Sequence, residues 1–136
     1  VLLVFVGGAA GTALRAGCLA VLPPADGWPV GVFVVNVLGS FLLGLLVAVL
    51  APRSAAPSSA APAADRARSD LRLLLGTGVL GGFTTYSALS ADTVSLVAAG
   101  HSVVALVYAA GSVIVGIAAA ALGVLLGGAT ATGARR

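Results

Sequence analysis

Charge is what this chain has least of. Only 8% of its 136 residues are Asp, Glu, Lys or Arg, and 60% are hydrophobic; a soluble domain carries about a quarter charged residues. With a mean hydropathy of +1.15, the composition excludes a water-soluble core and points to a single membrane-embedded domain. Cysteine occurs once, at Cys18 in an apolar run, so neither a disulfide framework nor a cysteine-based metal site is available. Cys18 reads as a small packing residue. The positive charge is all arginine, and no basic stripe with interleaved aromatics lies outside the apolar runs, which excludes nucleic acid as a partner. There is no nucleophile and base pair and no metal-ligand cluster. The single histidine, His101, sits at a tight turn and reads as a solvated interface group. An enzyme is therefore not expected. A cleaved signal peptide is not expected either, because the first apolar run is too long and lacks a small-residue exit site.

What the chain does have is hydrophobic length. Four runs approach the ~20 residues needed to cross the hydrocarbon core: about 1–22, 30–51, 71–99 and 103–127. This predicts an all-α membrane protein of four transmembrane helices. The connection "PPADGWP" is a proline and glycine turn whose Trp28 suits the membrane interface. Residues 52–69, "PRSAAPSSAAPAADRARS", read as a disordered linker, and the tail "GATATGARR" as loose. Short connections make neighbouring helices antiparallel. Small residues at a spacing of four, Gly7 and Gly11, Ser40 and Gly44, Gly78 and Gly82, Gly123 and Gly127, supply close helix contacts. Four short helices form a thin wall, so assembly into at least a dimer is expected.

Several polar groups interrupt the spans. Arg15 shares a face of the first helix with Gly7 and Gly11, and either snorkels to the interface or faces a vestibule. Asn36 carries two donors and an acceptor that hydrocarbon cannot satisfy; it either glues helices together or lines an anion path, with Ser40 one turn further along. Tyr108 and Ser112 share a face of the last helix. The stretch "GVLGGFTTYSALSAD", Gly78 to Asp92, places Gly81 and Gly82 before β-branched threonines, which predicts a break at the centre of the third helix. Non-helical backbone at membrane depth survives only inside protein or beside a hydrated cavity, so the segment is a candidate site. The carbonyls freed there are hard ligands, and with no carboxylate at the break they suit a monovalent ion such as sodium.

"GGAAGTALR" at Gly7 to Arg15, "GVFVVNVLGSFLLG" at Gly31 to Gly44 and "GVLGGFTTYSALSAD" resemble the signatures of the Fluc (CrcB) fluoride channels, in order and over all four helices. The resemblance implies passive, fluoride-selective export across the cell membrane, which limits fluoride toxicity. It also implies an antiparallel dimer with a structural sodium ion at the interface, held by the backbone carbonyls of Gly81 and Thr84. Asn36, Tyr108 and Ser112 match the polar pore lining, with Ser40 on the Asn36 face. Tyr86 and Leu89 fall where the family has phenylalanines, and Arg15 matches its vestibule arginine. The chain departs from the family pattern at Leu89 and Tyr86, at Asp92 where glutamate is usual, at Val32 for a threonine, and at Ala16 for an aromatic.

Two other readings stay open: a proton-coupled small exporter, for which Asp92 is the residue to watch, and a non-conducting assembly subunit of a heterodimeric channel. The heterodimer itself is expected from the distribution of charge. With antiparallel spans, Arg53, Arg66, Arg68, Arg72, Arg135 and Arg136 fall on one side, and the turns near Trp28 and His101 carry no arginine or lysine. Positive residues stay cytoplasmic, so one orientation is expected, and with it a heterodimer with a homologous chain of opposite orientation. A C-terminal tag should therefore label from the cytoplasmic face alone in intact cells. Equal labelling from both faces would mean dual topology and would remove the heterodimer expectation.

Overall fold

Twenty apolar residues in α-helical conformation extend about 30 Å, the thickness of the hydrocarbon core. In the computed structural model, which describes residues 1–25, 27–51 and 62–133, three helices meet that length and apolarity among the described residues: Leu2–Val21 (α1), Val30–Val49 (α2) and Ser102–Ala129, the described apolar part of a longer helix Ser102–Gly133 (α6). The chain between them is also helical but divided. It runs as α3 (Pro62–Leu71), a π-helical segment (Arg72–Leu80), a single turn α4 (Gly81–Phe83) and α5 (Tyr86–Ala98). Among the described residues there is no strand, only an isolated antiparallel bridge between Ala25 and Trp28 that closes the first turn around Gly27, whose φ is 81°.

The structure differs from sequence expectation at three places. Residues 52–61 of the expected linker lie outside the described residues, but Pro62–Leu71 is helical rather than disordered. Proline at the first helical position, Asp65 in the first turn and Arg68 in the last all favour a helix there. The last helix runs through Gly133, beyond the expected end at 127. Finally, Gly81 keeps helical angles (φ −65°, ψ −35°), and the chain turns extended only at Thr84 (φ −75°, ψ 157°) and Thr85 (φ −150°, ψ 116°). Gly82 is needed within a helix because α1 crosses there: a Cβ on it would be driven into the Gly8 backbone.

The helices pair in two tight couples, α1 on the π-helical segment with α4, and α2 along α6, while α5 also packs on α6. Glycine makes both approaches. A Cβ on Gly78 would stand 2.9 Å from Gly7 Cα, and Cβ atoms on Gly11, Gly44 and Gly123 would run into the carbonyls of Val79, Ala120 and Phe41. Backbone-to-backbone contact of this kind replaces the hydrophobic driving force that is missing between helices in lipid. The small interior cluster comprises Val32, Leu89, Leu96, Ala105 and Tyr108. Large apolar side chains such as Phe5, Val21, Ile114, Ile117 and Leu125 instead face outward, as a lipid-facing surface requires.

The second turn is capped as the first is bridged. Gly100, with φ 83°, lets its N–H reach Val97 O and the His101 N–H reach Leu96 O, a Schellman closure of α5 that reverses the chain into α6. Close helix contact makes a sharp prediction. Gly11→Val should destabilise the fold by about 1–3 kcal/mol or more through overpacking, whereas Gly17→Ala, with open space around it, should stay within about 0.5 kcal/mol of the parent. Thermal unfolding of the two variants in the same detergent checks the contrast.

Candidate functional site

A helix that stops inside an apolar bundle leaves amides and carbonyls without partners. At Thr85 they are met from the neighbouring helix. The Thr85 N–H donates to Asn36 Oδ1 at 2.8 Å, and Asn36 Nδ2 donates to Thr85 O at 3.0 Å. The side-chain amide thus stands in for a peptide unit of a paired strand. In an unbroken α-helix the Thr85 N–H would engage the Gly81 carbonyl, so Asn36 deprives that carbonyl of its helical partner. Thr85 also caps α5: its Oγ1 accepts from the Ala88 N–H at 3.2 Å and lies 3.1 Å from Ser87 Oγ. That takes the N–H that would otherwise serve the Thr84 carbonyl. The Thr84 hydroxyl turns back on Leu80 O at 2.9 Å. Its methyl occupies space that exists because residue 39 is glycine.

Beside the break lies a cavity of about 330 Å³. Its wall brings together Asn36 and Ser40 from α2, Gly81, Thr84, Tyr86 and Leu89 from around the break, and Ser112 from α6. These residues are spread over 77 positions of sequence, from 36 to 112, and converge because the α2–α6 pair and the break face one another. Leu89 is buried, Tyr86 is 82% exposed, and Ser112 is buried with its hydroxyl donating to Tyr108 O at 2.6 Å. Two further candidates, Arg15 and Tyr108, are not among the residues of this wall. Arg15 is half-buried on α1, outside this wall. Tyr108, one turn from Ser112, is 1% exposed, and its hydroxyl donates to Asp92 Oδ2 at 3.2 Å. Its ring meets Trp28 edge-on at a centroid distance of 6.3 Å.

Sequence reasoning missed Thr85 as the partner of Asn36, the space Gly39 opens for Thr84, and the Trp28–Tyr108–Asp92 chain of contacts. A signal existed for the second alone: glycine three residues after Asn36 sits on nearly the same helical face. The other contacts join segments far apart in sequence and leave no local mark.

The CrcB-like protein (camphor resistance) family matches residues 2–124. The chain is 47% identical over 135 residues to the fluoride-specific ion channel FluC 2 of Leifsonia xyli subsp. xyli, covering 99% of this chain and 86% of that protein. It is 43% identical over 131 residues to a fluoride-specific ion channel FluC of Thermus thermophilus, covering 94% of each. To the fluoride-specific ion channel FluC of Hyphomonas neptunium it is 42% identical over 110 residues, 79% of each.

The paired hydrogen bonds at Thr85 set the test of the site's construction. Asn36→Leu leaves a buried N–H and C=O unmet, at a cost of about 1–3 kcal/mol for each group, and should raise hydrogen exchange at the Thr85 amide about tenfold or more. Unchanged exchange at Thr85 would show that the break holds without Asn36.

Proposed function

The chain belongs to the CrcB family, and from that premise we propose that it is a fluoride-selective channel subunit that lets fluoride leave the cell passively across the plasma membrane. It is a multi-pass membrane protein. The observation that carries the reading is the cavity in which Asn36, Ser40 and Ser112 stand beside the interrupted helix. Fluoride is small and strongly hydrated, so a pathway must replace its water with several donors and still release it. Amide and hydroxyl groups do this without a fixed cation that would trap the ion. Asn36 uses Oδ1 and one N–H on Thr85, which leaves its second amide N–H for an anion. Ser112 must swing its hydroxyl off the Tyr108 carbonyl to take part. Tyr86 offers the positive rim of an aromatic ring, and Leu89 offers none. Tyr108 continues the polar path beyond Ser112, and Arg15 acts as a vestibule residue.

In this reading the segments from Arg72 to Ala98 form a fourth membrane crossing broken at Thr84 and Thr85. The subunit pairs as an antiparallel dimer, either with a second copy or with a homologous chain of opposite orientation. The exposure of Gly81 and Tyr86 along the break supports a partner closing over that face. A structural sodium ion fits there: Gly81 and Thr84 both border the cavity, the N–H groups that would serve their carbonyls in an unbroken helix go to Asn36 and to the Thr85 hydroxyl, and among the described residues no carboxylate lines this cavity. Bound sodium would supply positive charge that holds two facing breaks together.

Fluoride efflux from liposomes containing this chain, alone and with its candidate partner, tests the reading and should proceed without a proton gradient. Asn36→Leu should reduce efflux about tenfold or more, by the loss of a donor to an ion; efflux equal to the parent's would make Asn36 purely structural and remove the pore assignment. Gly81→Val should alter sodium dependence more than Thr84→Val, because the proposed ligands are main-chain oxygens. Indifference to replacing sodium by a large organic cation would remove the sodium site.

A further inference from the structure

A second cavity, of about 340 Å³, lies between the first turn and the α5–α6 hairpin, with Trp28, Pro29, Asp92, Ser95, His101 and Val104 among the residues of its wall. Asp92 is the only carboxylate side chain from Leu71 to the end of the chain, and it is half-buried. Among the described residues no arginine or lysine borders this cavity, and the one ion pair, Arg68 with Asp65, lies in α3. The Tyr108 hydroxyl engages Asp92 Oδ2 but brings no charge. With no basic side chain beside it among the described residues of the wall, the Asp92 carboxylate favours a positive occupant.

The remaining wall narrows the class. An anion is repelled by Asp92. A divalent ion wants several oxygen ligands or a cluster of carboxylate and imidazole groups, and no group of three or more such residues occurs among the described residues. Among the described residues of the wall, the Asp92 carboxylate and the Ser95 hydroxyl adjoin an indole, an imidazole and proline rings. That set suits an organic ammonium: its N–H groups bond to Asp92 and Ser95 while its charge and carbon face the Trp28 indole. The site is also preorganised. Buried Tyr108 holds Asp92 through its hydroxyl and Trp28 through its ring, so one side chain positions both recognition groups before a ligand arrives.

We propose that the cavity bounded by Trp28, Asp92, Ser95 and His101 binds a small alkylammonium cation. Its consequence rests on the channel reading: an occupied cavity offsets the Asp92 charge at one mouth of the fluoride path.

Trp28 is the sole tryptophan of the chain, so its fluorescence reports this wall alone. Titrating the full chain in detergent with methylammonium chloride, against potassium chloride at equal ionic strength, should give a saturable change for methylammonium only. Asp92→Asn should weaken the apparent affinity about tenfold, the scale of a lost charge-assisted bond. His101→Lys, at an exposed turn position that leaves the fold intact, places a competing cation at the wall and should weaken it similarly, which decides the matter even where Asp92→Asn does not fold. No saturable change in the parent, the same change with potassium, or unaltered affinity in His101→Lys would overturn the proposal. Fluoride efflux measured on the same preparation separates the two readings: efflux without methylammonium binding removes the cation site alone, and binding without efflux removes the channel reading alone.

Discussion

The pair of hydrogen bonds between the Asn36 side chain and the Thr85 backbone is the constraint on which the site depends. An apolar bundle tolerates a helix end only when its amides and carbonyls find partners inside the protein. Asn36 supplies a donor and an acceptor in the geometry of a peptide group, so the chain can run extended at Thr85 with both the Thr85 N–H and C=O met. The same substitution releases the Gly81 carbonyl, because the N–H it would have received points at α2.

For Asn36 to meet Thr85, α2 and the break must lie at contact distance, and glycine makes that approach possible. Gly39 admits the Thr84 methyl, while Gly7, Gly11, Gly78 and Gly82 bring α1 onto the segment leading into the break. Gly44 and Gly123 do the same for α2 and α6. In hydrocarbon, such contacts carry the association that burial of apolar area would carry in water. The outward-facing Phe5, Ile114 and Leu125 thus contribute compatibility with lipid, and the packing is done by the smallest residues.

Tyr108 links a residue of one cavity wall to a residue of the other. Its main-chain carbonyl receives the Ser112 hydroxyl on the side of the break, and its own hydroxyl reaches Asp92 on the side of the turns. Any movement of Ser112 toward an ion changes what the Tyr108 carbonyl accepts, and Asp92 adds the only carboxylate along this line.

Composition and periodicity were enough to establish the membrane setting, the helical class, the close-packing glycines at a spacing of four, and the anomaly of hydroxyls following Gly81 and Gly82. These are local properties: apolar length, small side chains and β-branching act within a turn or two of the chain. Asn36, Ser40 and Ser112 were legible as candidates because a polar group in an apolar run is costly wherever it lies. Tertiary structure alone decided which of two meanings Asn36 carries first, since its partner is 49 residues away. It put the extended residues at Thr84 and Thr85, with Gly82 helical where α1 crosses, and it gave the Tyr108 hydroxyl Asp92 as its partner. Each of these outcomes is a contact between distant segments, and the spacing of residues along one chain holds no record of which face another helix will present.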